Sequence, residues 1–294
     1  MTDTYLYPTT IEQTLTMLAE WNGQARIIAG GTDLMLEMHK SRHAPACLVD
    51  ITHIPELNRI EVSGEWVTVG AAVTFSELQE HPFLRERVPA LVEAACSVGA
   101  RPVQAMATWA GNIAQAMPAA DGGVVAVALQ AEARVVDRDG VCWVPVESLY
   151  QGVKASSLDS TRQMISHLRF AAPGEKWSCA WKRVGRRPSL TLPILNCAAT
   201  IQLAPDGETV SAAALALGPV AARPFRARQA EAFLAGRAPT RETIEEAARI
   251  AQSECHPRSN PLRASKEYRE ALIPVMIREA LAQAVERARA GHAT

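Results

Sequence analysis

At 294 residues, 48% hydrophobic and with a formal net charge of −1, the chain has the composition of an ordinary globular protein with room for two or three subdomains. The near-neutral balance excludes the basic stripe that bulk nucleic-acid binding needs. No apolar stretch of about 18 residues offers a membrane span, and the segment 1–8 lacks the basic and apolar regions of a secretory signal.

The spacing of Ile11, Leu15, Leu18 and Trp21 predicts a helix over 10–22, entered through Thr9 or Thr10. A short strand over 26–29 runs into Ile27-Ile28-Ala29-Gly30-Gly31-Thr32-Asp33-Leu34, then a brief helix over 34–39 and a strand over 46–51. A turn of helix at 54–57 and a strand at 60–62 follow, and the texture changes near residue 60. A strand over 66–70, a helix capped by Thr74 and a helix over 88–98 lead to a second glycine-bearing stretch. This is Thr108-Trp109-Ala110-Gly111-Asn112-Ile113, followed by Pro118-Ala119-Ala120-Asp121. Beyond it come an apolar helix over 124–129, a hairpin of 132–138 and 141–145 about Asp139-Gly140, and a strand over 164–170 ending at Ala172-Pro173-Gly174. From about Ser178, strands over 180–184, 194–203 and 210–217 precede helices over 227–235, 240–253 and 265–290. Strands and then helices, without an internal repeat, point to an α+β fold.

Both glycine-bearing stretches start at the end of an apolar run, place small residues where the backbone must turn tightly, and add a Thr, Asn or Asp. That chemistry wraps peptide N–H groups around a diphosphate, and two such loops suit a dinucleotide held along its length. A plain strand-to-helix turn is the competing reading of Gly30-Gly31. Asp121 can accept from ribose hydroxyls, cap the helix that follows, or do both. Lys182, within Trp181-Lys182-Arg183-Val184-Gly185-Arg186-Arg187, suits the N1–C2=O edge of a reduced flavin, with a solvated basic turn as the alternative. G-x-G-x-x-G, P-loop and G-x-S-x-G motifs are absent, so nothing marks a Rossmann turn, an NTPase or a serine nucleophile. His39 and His43 are spaced i, i+4 but lack a third ligand type, which argues against a metal site. The six cysteines form no C-x-x-C pair and read as free, mostly buried thiols in a reducing compartment.

Taken in order, these blocks resemble the FAD-binding medium subunit of the molybdenum hydroxylases, the xanthine dehydrogenase and carbon monoxide dehydrogenase family. The resemblance spans almost the whole chain: AGGTDL at 29–34, the run from Ile54 to Ile60, VGAAVTFSEL at 69–78, ATWAGNIAQAMPAAD at 107–121, WKRVGRRPSLTLPIL at 181–195 and RASKEYREAL at 263–272. It implies a two-part FAD-binding α+β domain over 1–177, with parts of about 1–58 and 59–177, and a smaller C-terminal α+β domain over 178–294. By resemblance, the backbone of Ile28, Ala29, Gly30, Gly31, Thr32, Asp33 and Leu34 holds the pyrophosphate, and Thr108, Ala110, Gly111, Asn112, Gln115 and Asp121 hold the rest of the dinucleotide. Ile165 matches a position that packs on the isoalloxazine, and Val98 and Lys182 match flavin-neighbouring positions. Three departures stand out: Ala110 replaces the first Gly of the usual Gly-Gly-Asn, Gln104-Ala105 replaces an Arg-Asn pair, and Thr191 stands where many relatives carry an acid. The family's four-cysteine insertion is absent, and the first loop has no histidine to link flavin covalently.

The resemblance implies a subunit that binds FAD non-covalently. It would take electrons from [2Fe-2S] centres on a small partner and pass them to an external acceptor such as NAD+. Substrate oxidation would occur at a molybdenum cofactor on a large partner. A cytoplasmic dimer of heterotrimers is expected, though a partner bearing a Tat signal could export the chain. A stand-alone flavin oxidoreductase and a non-catalytic nucleotide-binding protein are the rival readings. No acid, base or nucleophile is assigned.

Overall fold

The computed structural model describes residues 4–40 and 45–291, and among these residues it has three larger sheets and one two-stranded hairpin. The first unit contains β1 (Thr4–Leu6), α1 (Ile11–Glu20), β2 (Ala25–Ile28), α2 (Leu34–Lys40) and β3 (Cys47–Asp50). Its strands are parallel in the order β1-β3-β2. The Thr10 side chain accepts from Gln13 N at the start of α1, and Leu15 and Leu18 turn inward as the helical period requires.

The second unit begins with β4 (Ile60–Ser63) and β5 (Trp66–Gly70) and continues through short helices α3 (Phe75–Glu80), α4 (Pro82–Arg87), α5 (Pro89–Ser97), α6 (Arg101–Gln104), α7 (Trp109–Ala114) and α8 (Asp121–Ala128). It ends with β6 (Glu132–Val136), β7 (Val141–Pro145), a small hairpin of β8 (Tyr150–Gly152) and β9 (Ala155–Ser156), and β10 (Met164–Ala171). The antiparallel sheet runs β4-β5-β10-β6-β7. Thr74 and Glu77 form a reciprocal capping box at α3.

The third unit is the antiparallel sheet β11 (Trp177–Val184), β12 (Leu195–Leu203), β13 (Val210–Gly218) and β14 (Phe225–Arg226), followed by α9 (Arg228–Leu234), α10 (Arg241–Glu254) and α11 (Lys266–Ala290). Its two faces differ because side chains alternate along each strand. Cys179, Trp181, Ala198 and Ala216 join the core of the second unit, while Ala180, Leu195, Cys197, Ala199 and Leu217 pack under the helices. Pro274 lies inside α11 and cannot donate to Glu270 O, four residues back. Gln252 of α10 answers that carbonyl with its Nε2 at 2.8 Å, so the proline is accommodated by a neighbouring helix.

The second glycine-bearing stretch, expected as a loop, starts a helix instead. Thr108 is the N-cap of α7, and its Oγ1 accepts from Gly111 N at 3.0 Å. Cys47, Cys179, Cys197 and Cys255 are buried free thiols, whereas Cys96 and Cys142 are exposed. His43 lies outside the described residues, so the His39–His43 pair has no structural description. Among the described residues no helix is long and apolar enough to cross a membrane, and no group of three or more metal-binding side chains converges.

Trp109 anchors the second core. It is fully buried, donates Nε1–H to Gly122 O at 2.9 Å, and meets Phe170 edge-on with ring centroids 6.1 Å apart. Trp109→Ala should therefore cost about 3–5 kcal/mol, read as a lowered urea midpoint. A midpoint unchanged within error would show that this ring does not brace the core.

Candidate functional site

A groove of about 770 Å³ runs between the first and second units, a size suited to a small-molecule ligand. One lip is the loop after β2. The chain leaves the sheet at Ala29, and Gly31 turns it with φ +65, a left-handed conformation that glycine adopts without strain. Gly30 serves a different need: a Cβ there would lie 1.8 Å from Met106 O, so only glycine lets this loop press against the backbone of the other lip. The N–H groups of Gly30, Gly31, Thr32, Asp33 and Leu34 find no hydrogen-bond acceptor among the described residues. Orphan amides turned into a groove form an anion-binding concavity.

The other lip contributes side chains more than amides. Gly111 N and Asn112 N already donate to Thr108 Oγ1 and Thr108 O, both at 3.0 Å. Asn112 lines the groove, and its Oδ1 is buried without a partner. Ala110 sits on the buried side of α7 at 5% exposure, so the replacement of a glycine there places a methyl in the core and asks nothing of the groove. Gln104, also a departure from the family pattern, is buried and donates Nε2–H to Cys96 O at 3.0 Å and to Val98 O at 2.9 Å. It thereby holds the turn that carries Val98 into the groove.

Asp121 lines the groove from the first turn of α8. It is not the cap of that helix, because Ala120 occupies the N-cap position and no side chain caps it. Its carboxylate is committed elsewhere: Oδ1 accepts from Asn196 Nδ2 at 2.6 Å, and Oδ2 lies 3.4 Å from Arg183 Nε. Burial pushes the Asp121 carboxyl up from 3.8 to about 6, against the opposing pull of Arg183 and Asn196. Arg183 also donates to Thr191 O, at the segment that brings Leu192 to the groove edge.

A second set of contacts ties the lips together. Glu37 on α2 accepts from Gln115 Nε2 at 2.7 Å and from Lys154 Nζ at 2.6 Å. Lys154 holds the Glu37 carboxyl low, while burial and the Glu37 charge push Asp33 up. The Glu37–Lys154 pair is half-exposed, so its contribution to stability is small. Its value is positional.

Ile28, Ala29, Gly30, Gly31, Thr32, Asp33, Leu34, Val98, Thr108, Gly111, Asn112, Gln115 and Asp121 all line this one groove. Ala110, Ile165 and Lys182 do not. Ile165 is buried on β10 within the second core. Lys182 falls on the helix-facing side of β11 with Ala180, whereas Arg183 shares the opposite side with Trp181. Of this pair, Arg183 is therefore the one that lies against the Asp121 carboxylate. Sequence reasoning passed over Arg26, Glu37, Lys154, Leu192 and Asn196, whose roles come from contacts between distant segments. The neighbouring basic residue in the Lys182-Arg183 pair was the one available signal.

Residues 1–171 match the family described as the FAD binding domain in molybdopterin dehydrogenase, and residues 180–284 match the carbon monoxide dehydrogenase flavoprotein C-terminal domain. The chain is 29% identical over 277 residues to the putative xanthine dehydrogenase FAD-binding subunit of Escherichia coli K12, covering 94% of each chain. Among solved structures it resembles a chain of carbon monoxide dehydrogenase from Hydrogenophaga pseudoflava, with a TM-score of 0.89, 29% identity and 96% coverage of each chain. A chain of quinoline 2-oxidoreductase from Pseudomonas putida 86 gives a TM-score of 0.86 at 26% identity, again covering 96% of each.

The raised value of Asp121 has a definite sign in stability. Folding favours its neutral form, so that contribution is complete below 3.8 and is lost as the pH rises through about 6. Between pH 5 and 7 the flavin-free chain should lose about 1 kcal/mol that Asp121→Asn does not lose. Stability curves of the two proteins that run parallel over this range would refute the assignment.

Proposed function

The chain belongs to the family of FAD-binding subunits of molybdenum-containing dehydrogenases, and on that premise we propose that it relays electrons from [2Fe-2S] centres of a small partner to an external acceptor such as NAD+. It is the flavin subunit of a multi-subunit oxidoreductase of the xanthine and carbon monoxide dehydrogenase type. In this reading a large partner holds the molybdenum cofactor, and the complex is a cytoplasmic dimer of heterotrimers. Residues 1–177 form the FAD-binding unit and 178–294 the C-terminal unit.

One observation carries the assignment of the site. The unpaired amides of Gly30 through Leu34 belong to residues that line the groove, and Asn112 lines its other lip. Uncharged donors in a row fit a diphosphate, and the polar residues Thr108, Asn112, Gln115 and Asp121 along the same groove fit the hydroxyl-bearing remainder of a dinucleotide. The residues present therefore fit FAD. The chemistry that FAD supplies when bound is the acceptance of electrons singly and their release as a pair.

The chain's own contribution is to hold and tune. Gly30 through Leu34 would take the diphosphate, Thr108, Gly111, Asn112 and Gln115 would flank it, and Val98 would meet the flavin half. Asp121 would accept from a hydroxyl of the ligand in its ionised form. Arg183 keeps that form accessible by opposing the burial of the carboxylate. Among the described residues no histidine lines the groove.

The test is the visible spectrum of the purified chain after loading with FAD and removal of the excess. Bound, dithionite-reducible FAD without iron–sulfur absorbance is expected, and a folded chain that retains none would sink the reading. Gly31→Val, which puts a branched side chain at φ +65 and within 3.0 Å of Ile28 Cδ1, should lower FAD retention sharply, and Asn112→Ala should lower it less. Lys182→Ala should leave retention unchanged, since Lys182 stands away from the groove. Full occupancy in folded Gly31→Val, or loss in Lys182→Ala, would count against the site as drawn.

A further inference from the structure

The helix that follows the glycine loop forms part of the groove without joining the core. None of the seven residues of α2 is buried, yet Leu34, Leu36 and Glu37 line the groove. Leu36 is 56% exposed, whereas Thr108 and Asp121 on the other wall are buried. α2 therefore lies on the solvent side of the groove. A helix this short, with nothing buried, is marginal in water and depends on the bonds it makes to its neighbours.

Among the described residues, one side chain of α2 makes those bonds. Glu37 Oε1 accepts from Gln115 Nε2 at 2.7 Å and from Lys154 Nζ at 2.6 Å. Both donors belong to the second unit and are fixed there. Gln115 N donates to Gly111 O at 3.1 Å at the end of α7, and Lys154 N, in the β8–β9 turn, donates to Ala116 O at 3.0 Å. Glu37, Gln115 and Lys154 all line the groove, so these bonds run from one lip to the other. Lys154 also opposes the mutual repulsion of the Asp33 and Glu37 carboxylates.

We propose that α2 is a lid on the groove and that Glu37, held by Gln115 and Lys154, is its latch. Gly30 is pinned against Met106 O, so the lid opens about Gly31, the next residue, where the missing side chain lets the backbone turn. The inference rests on the FAD reading above, because the ligand that passes the lid is the dinucleotide. The latch joins protein atoms to protein atoms and is already made in the empty groove. It therefore slows entry and exit by the same factor and leaves Kd nearly unchanged, which separates a lid from a residue that holds the ligand.

Two measurements on the full-length chain test this. Stopped-flow flavin fluorescence gives the association and dissociation rates of FAD, and hydrogen exchange of the flavin-free chain reports the opening of residues 34–40. Lys154→Met should raise both rates about three-fold, the scale of a half-exposed ion pair. Glu37→Ala, which also removes the Gln115 bond, should raise both about ten-fold, with Kd changed by less than about two-fold in either variant. Exchange over 34–40 should accelerate in the same order, and salt at about 0.5 M should accelerate it in wild type but not in Lys154→Met. Faster dissociation with unchanged association would mean that these side chains hold the ligand itself, and overturns the lid. Unchanged exchange over 34–40 overturns the latch, and faster exchange with both rates unchanged shows that α2 does not control entry. If Glu37→Ala does not fold, Glu37→Gln, which removes the charge alone, should match Lys154→Met. Failure of the wild-type chain to bind FAD defeats the flavin reading instead, and the exchange measurement on the empty groove still decides the latch.

Discussion

The groove depends on one steric fact: the backbone of Gly30 meets the backbone of residues 106 and 107 with no side chain between them. Met106 O occupies the place where a Cβ of residue 30 would stand. That carbonyl is itself fixed, because Ala107 O accepts from Phe75 N at 3.0 Å and Trp109 N donates to Val73 O at 3.3 Å. The approach wedges the first unit against the second and leaves the loop amides with no acceptor among the described residues. Peptide N–H groups in such a position bind either water or a ligand, which turns a packing constraint into a binding site.

The rest of the groove is set by elements whose main work is structural. Thr108 closes the first turn of α7, the turn that carries Gly111 and Asn112 along the groove. Trp109 on the same short helix holds α8 through Gly122 O. The first turn of α8 then presents Asp121 to the groove edge. A single run of about fourteen residues, 108–121, therefore links core packing to the polar side chains of the site.

The C-terminal sheet is part of the site through its alternation. One face joins the core behind α8, and from that face Arg183 and Asn196 reach the Asp121 carboxylate. Both groups are in low-dielectric surroundings, where pairing and burial oppose each other strongly. The ionisation of a groove residue is thus governed by a sheet that shares little of the groove wall. The same strand presents Lys182 to the helices on its other side, out of reach of the groove.

The elements read along the chain were legible because their signals are local. Hydrophobic spacing marks α1, α10 and α11, turn residues mark the β6–β7 hairpin, and the cap residue Thr74 marks α3. The short helices α4, α6 and α7 were missed, as each is too brief for a periodic signal and is held by its neighbours. The order of motifs by itself determined the family, the α+β class and most of the groove-lining positions, since Gly30, Gly31, Thr108 and Asn112 carry backbone and capping chemistry wherever the chain folds. Tertiary structure alone decided which basic residue serves Asp121, why Ala110 is harmless, and that Glu37 meets Lys154 117 positions away. The reason is physical: a turn or a cap is specified by residues a few positions apart, whereas a side chain's partner across a groove depends on how separate sheets pack and which face of a strand looks inward.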